Sequence, residues 1–203
     1  MTRILFVTML LVLSAGCSLK PQNVRPTAHY DLGPAPVTPA KAINANLVVA
    51  DVEAPQWLQR RGLLYRLVYR NDQQLQPYAN SNWVAPPPEM LSMRLRQFVA
   101  SGKVSAPEDR TRADYLLRVE LESFEQQFMS SSSSKALVRA KATLVNTLER
   151  RIHAQKTFSL EEPAPAADAA GGAAALATAS NTLSRQIHDW VASELPATSS
   201  RRP

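Results

Sequence analysis

The chain has 203 residues, a formal net charge of +6 at pH 7, one cysteine and three histidines. That length supports one domain with its own core, and a lone cysteine excludes a disulfide framework. The charge excess is modest and reads as an ordinary solvated basic surface, with attraction to anionic headgroups as its other use. His29, His153 and His188 are scattered. His188-Asp189 is the one adjacent pair, and neighbouring side chains diverge on a helix. There is no G-x-S-x-G elbow, no P-loop and no H-E-x-x-H, and the six glycines form no phosphate cradle. Asp51 and Glu53 alternate onto one face of a strand, where carboxylates are commonly just solvated. The residues therefore nominate no catalytic group, no cofactor and no metal.

In chain order, Met1–Ser18 comes first: Arg3, an apolar run from Ile4 to Leu13 broken by Thr8, then small residues leading to Cys17. About ten apolar residues are half of what a membrane-spanning helix needs. A basic start, a short apolar core and small residues before a break describe a secretory signal peptide. The break falls at the cysteine, and Leu13, Ser14, Ala15, Gly16 and Cys17 resemble the lipobox of bacterial lipoproteins. Ser14 stands where Leu is commoner. The resemblance implies cleavage before Cys17, diacylglycerol on its sulfur and acylation of the new amine. More than one acyl chain, at ~0.8 kcal/mol per buried methylene, gives stable anchoring. Ser18, in place of Asp, resembles the Gram-negative signal for sorting to the outer membrane. An exported chain meets no nucleic acid routinely. The expected organisation is a signal peptide over 1–16, a lipidated Cys and tether over 17–28, one domain over 29–195 and a disordered tail over 196–203.

Tyr30–Gly33 reads as a brief strand, and Pro34–Asn44 as a Pro- and Ala-rich connection. Leu47–Val52 is a continuous apolar run, the pattern of a strand buried on both faces. Trp57 lies beside Pro55, and Trp83 before three prolines. A large ring in such a loop either plugs the domain's own core or meets a partner. Leu63–Asn80 reads as a hairpin turning at Asn71-Asp72, with Asn80–Pro88 as a loop. A helix follows, with proline in its first turn and Glu89 near its positive end. Leu91, Leu95, Phe98 and Val99 form its apolar face, Arg94, Arg96 and Gln97 face away, and Gly102 stops it. Asp114–Gln127 alternates as a strand with Tyr115, Leu117, Val119 and Leu121 on one face, and Met129–Ser134 is a hairpin tip. Lys135–Leu148 answers with Val138, Ala140, Ala142 and Leu144 inward, setting Arg139 and Lys141 opposite Glu120 and Glu122. Arg151–Leu160 adds a third antiparallel strand, with His153 exposed on the face opposite Phe158. Glu161–Gly172 reads as a loop. A second helix over Ala173–Leu195 carries a stripe of Leu176, Leu183, Ile187, Trp190, Val191 and Leu195. The fold class is α+β: one domain, a mixed or antiparallel sheet with two α-helices packed on it.

These residues, in this order, resemble the PqiC-like proteins of the ABC-type transport auxiliary lipoprotein family. The likeness rests on the lipobox, Tyr30-Asp31-Leu32-Gly33, the strand Leu47–Val52 leading into Pro55, and Leu64-Tyr65-Arg66. It continues through Trp83, the helix carrying Leu91 and Leu95, Ala113-Asp114-Tyr115, and the Trp190 helix. Pro86-Pro87-Pro88 departs from the family's usual single proline. The resemblance implies a non-enzymatic subunit at the periplasmic face of the outer membrane, held there by acyl chains. Its implied partners are a periplasmic MCE-domain protein with an inner-membrane permease and ATPase, in a system that moves lipid between membranes. Sheet edges offer self-association or docking by strand addition, and Trp57 or Trp83 marks a partner contact. Two other readings share this build: an adaptor for lipopolysaccharide insertion, secretion or pilus assembly, and a lipid carrier with its own apolar cavity.

Overall fold

The computed structural model describes residues 26–36, 43, 45–99, 104–105 and 113–195. The lipobox, Cys17, Gly102 and the tail after Leu195 lie outside these, as does most of the Pro34–Asn44 connection. The strands are β1 (Ala28–Tyr30), β2 (Leu47–Val49), β3 (Gly62–Leu67), β4 (Leu75–Trp83), β5 (Val104–Ser105), β6 (Tyr115–Phe128), β7 (Ser134–Asn146) and β8 (Arg151–Pro163). The helices are α1 (Pro87–Val99) and α2 (Ala169–Glu194), with a 3-10 turn at Gln56–Leu58.

One long antiparallel meander, β6–β7–β8, is the frame. Alternation builds it: Leu117, Val119 and Leu121 of β6 and Val138, Ala140, Ala142 and Leu144 of β7 are buried on the side that the helices cover. A register shift between Leu121 and Ser123 resets the phase so that Phe124 also faces inward. The free edge of β6 is filled by two segments in line. β2 lies parallel beside Tyr115–Leu117, and β3 parallel beside Gln126–Phe128. Between them the chain stays hydrogen-bonded through Ala50 and Glu53 to Leu117 and Val119, then leaves the sheet near Pro55. β4 pairs antiparallel with β3, β1 parallel with β4, and β5 parallel with β2. The result is an eight-stranded mixed sheet with both helices on one face, the α+β class expected.

Several boundaries differ from the sequence reading, each for a local reason. The first strand ends at Tyr30 because the Asp31 carboxylate accepts the Gly33 N–H at 2.7 Å and Gly33 turns through φ 65°. β4 runs on to Trp83 because β1 pairs with Ser81–Trp83. β7 ends at Asn146, leaving Leu148 exposed in the following turn. β8 reaches Pro163, where a missing N–H is tolerated on an edge strand. α2 starts four residues early: Asp168 caps it by accepting from Gly171 N–H at 2.7 Å. The glycines that read as loop are there for close approach. A Cβ at Gly172 would lie 2.0 Å from Gln126 Oε1, and one at Gly171 would lie 2.1 Å from the Ala166 carbonyl oxygen.

Candidate docking surface

With the helices on one face, the opposite face of the sheet is bare and carries the chain's charge in cross-strand pairs. Lys141–Glu120 (2.5 Å) and Arg139–Glu122 (2.7 Å) form as the alternation predicts. Arg118–Glu53 (3.4 Å) and Lys135–Glu161 (2.8 Å) extend the pattern. Arg66 forks onto Glu125, with Nε 2.8 Å from Oε1 and the second bond at 3.0 Å. The bonds to Glu125 and Glu120 raise the Arg66 and Lys141 pKa values respectively. Glu53, Glu120 and Glu122 line a hollow of about 330 Å³, but each already faces a cation. Among the described residues no group of three His, Cys, Asp or Glu side chains could hold a metal ion.

The two tryptophans are treated oppositely. Trp83 has no exposure and packs edge-on against Phe124 at 5.5 Å, so the partner contact expected of it is corrected: β4 aims the ring into the core. Trp57, on the 3-10 turn, is 58% exposed. With Arg60, Gly62, Leu64, Leu75 and Pro77 it borders an open groove of about 530 Å³ along the β3–β4 hairpin. The sequence thus separates the two rings only through strand parity, which the proline-rich context hides.

Three polar features lie where the sequence reading did not put them. Arg94, expected on the solvated side of α1, is buried. Its guanidinium donates to the carbonyls of Leu32 (3.0 Å), Gly33 (2.5 Å) and Pro34 (3.3 Å) and to Asn181 Oδ1. Burial lowers its pKa, and nearby Asp31 opposes the shift. The signal was present: Arg94 stands three residues after Leu91 and four before Phe98, on the apolar side. Gln126 is fully buried and ties the sheet to the start of α2. It accepts from Tyr78 Oη (2.8 Å) and donates to Ser134 Oγ (2.8 Å) and the Asp168 carbonyl (3.1 Å). Burial of the phenol raises the Tyr78 pKa. The histidines also differ from expectation. His153 is half-buried, its ring 5.5 Å from Tyr115 and its Nε2 donating to the Glu194 carbonyl at 3.0 Å, because the register shift in the β7–β8 pairing turns it under α2. His188 and Asp189 do not diverge: Nδ1 sits 3.1 Å from Oδ1, with His188 buried.

Taken together, these features define, among the described residues, an α+β domain whose exposed chemistry lies on its surface. The chain belongs to the ABC-type transport auxiliary lipoprotein component family, whose sequence profile matches residues 30–188. It is an auxiliary lipoprotein component associated with ABC-type transport. A crystal structure of a Xanthomonas campestris protein of family DUF330 is similar at 21% identity and TM-score 0.71, covering 84% of this chain and 96% of that one. A second crystal structure, of an uncharacterized protein, is similar at 17% identity and TM-score 0.64, covering 82% and 99%. Both likenesses establish the fold. No curated protein matches the chain at a significant level. Among the described residues no helix is long and apolar enough to cross a membrane.

Proposed function

We propose that this protein is the non-enzymatic outer-membrane lipoprotein subunit of a PqiABC-like, MCE/ABC-type intermembrane lipid transport system. In this reading the signal over 1–16 is removed, Cys17 carries the acyl chains, and the domain over 29–195 stands on the periplasmic side. There it holds the periplasmic MCE assembly, served by an inner-membrane permease and ATPase, against the outer membrane and so supports membrane integrity. The observation that carries the reading is the extent of the family match. It runs from the last residue of β1 to within two turns of the end of α2, so the described fold is itself the auxiliary component. Trp57 and its groove supply an apolar contact for the MCE partner, and the outer edge of β8, which among the described residues pairs with β7 alone, supplies a strand-addition edge for that partner or a second copy.

Affinity capture of the membrane-extracted protein from its host, with mass spectrometry of what comes with it, tests the reading. Recovery of an MCE-domain protein with a permease and an ATPase is expected. Recovery of lipopolysaccharide-insertion, secretion or pilus components instead would overturn the transport assignment while leaving the lipoprotein family in place. Trp57→Ala should keep the fold and lose the MCE partner; full retention of the partner removes Trp57 from the contact.

A further inference from the structure

The sheet has two ends, and they differ. At one end lie the β3–β4 turn, the β6–β7 tip and the β8–α2 connection. At the other lie the β7–β8 turn, the start of β6 and the end of α2. We propose that the first of these ends rests on the lipid surface, with Tyr69 and Met129 entering the headgroup layer. This inference rests on lipid attachment at Cys17, proposed above, and adds which face the domain turns to the bilayer.

Strand direction makes the choice. β3 runs parallel to β6, and its last residue, Leu67, pairs with Phe128, the last of β6. β4 returns antiparallel from Leu75 at that end, and β1 lies parallel to β4 with Ala28 opposite Ser81. The chain before Ala28 therefore enters the fold from the side of Leu75. Six residues separate Ser81 from Leu75, and the irregularity in the β3–β4 pairing keeps the span between them under the ~20 Å of a regular strand. The eleven residues from Cys17 to Ala28 reach at most ~36–40 Å. An anchor at Cys17 can thus lie beyond this rim with chain to spare. The opposite end, at the start of β6, lies farther off and in the other direction, and to place the anchor there the chain would have to double back.

The chemistry of the rim agrees. The Leu67–Phe128 pairing ends β3 and β6 together, so Tyr69 and Met129 both lie just past the sheet at this end, 47% and 48% exposed. A tyrosine suits the headgroup layer, with an apolar ring and a polar tip, and methionine adapts its shape to soft surroundings. Around them are the uncharged Ser130–Ser133 and the exposed Pro165 and Ala166. Lys135 is held by Glu161 and the Asp168 carboxylate is taken up by the α2 cap, while Arg70, Asp72 and Glu162 complete the charge of this end. At the other end Leu148 and Ile152 are more exposed, 76% and 59%, but they sit among Glu149, Arg150 and Arg151. Apolar exposure alone does not pick the rim; the direction of β1 does, and it leaves the β7–β8 turn to face away from the membrane.

The test uses the full chain, extracted from membranes and reconstituted into phosphatidylethanolamine–phosphatidylglycerol vesicles. Cys17 is the sole cysteine and is blocked once acylated, so Y69C, M129C and L148C each accept one environment-sensitive fluorophore. All three positions are exposed, so the labels leave the core alone. Nitroxide-bearing lipids should quench the labels at 69 and 129 at least about twofold more than the label at 148, consistent with a shallow seat in the headgroup layer. Equal quenching at all three, or strongest quenching at 148, overturns the orientation. Flotation of the parent protein separates the two layers of the argument. Protein that floats with the vesicles but shows even quenching refutes the rim and leaves the anchor standing. Protein that fails to float refutes both.

Discussion

The two faces of the sheet handle charge in opposite ways. On the bare face Lys135, Arg139 and Lys141 each meet a carboxylate across a strand pair, in contact with water, and the pairs cancel. Beneath the helices Arg94 meets backbone carbonyls and an asparagine instead. A buried guanidinium costs a great deal unless its donors are occupied, and here they hold down the segment that follows β1. The tryptophans repeat the contrast, Trp83 filling the core and Trp57 standing out from it. The covered face thus fixes where the N-terminal segment sits relative to the sheet. The bare face and the exposed ring are left for whatever the domain meets.

The largest expected effect lies at Trp83. Trp83→Ala empties a site with no solvent access and should cost ~3–5 kcal/mol in chemical denaturation. Among the described residues the indole Nε1 has no hydrogen-bond partner, and the ring packs against Phe124, so Trp83→Phe should recover most of that loss. Trp57→Ala should stay within ~0.5 kcal/mol of the parent. Equal losses at the two tryptophans would erase the contrast between covered and bare faces.

Arg94→Met comes next. It removes the donors that hold Leu32, Gly33 and Pro34 and should cost ~2–3 kcal/mol. Its readout is local. The Val84 N–H, which donates to the Tyr30 carbonyl at 2.9 Å, should exchange much faster as β1 loosens, while amides in the middle of β7 keep their protection. Uniform acceleration across the sheet would mean that Arg94 supports global stability and not the β1 segment in particular.

Most of the fold was legible in the residues, and the reason is periodicity. β6 and β7 announce themselves by alternation, α1 and α2 by apolar stripes, and the Glu120–Lys141 and Glu122–Arg139 pairings follow from one hairpin register. What the residues hid was long-range. β2 and β3 share one edge of β6 although more than a hundred residues of chain separate the start of β2 from the end of the meander, and nothing local in LVVADV says which strand it will meet. Gly171 and Gly172 read as loop because the reason for them, Gln126 and Ala166 pressed against the helix, comes from elsewhere in the chain. The charge of Arg94 points to solvent, whereas its place three residues after Leu91 and four before Phe98 puts it on the apolar side of the helix. The docking surface was half visible: Trp57 and Trp83 looked alike in sequence, and only strand pairing told them apart.

The smallest effect tests the bare face itself. Glu122 and Arg139 lie opposite each other at 2.7 Å, with the Arg139 side chain more than half exposed. Water screens the attraction, and holding two long side chains in one geometry offsets part of it. A double-mutant cycle with Glu122→Gln and Arg139→Gln should therefore return a coupling of ~0.2–1 kcal/mol. Raising the salt to 1 M shortens the screening length from about 8 Å to about 3 Å and should remove much of that coupling. A coupling of several kcal/mol that persists in high salt would mean that the face is structural. A small, salt-sensitive one leaves these charges free to exchange partners, so that a docking protein could replace Glu122 or Arg139 at little cost to the fold.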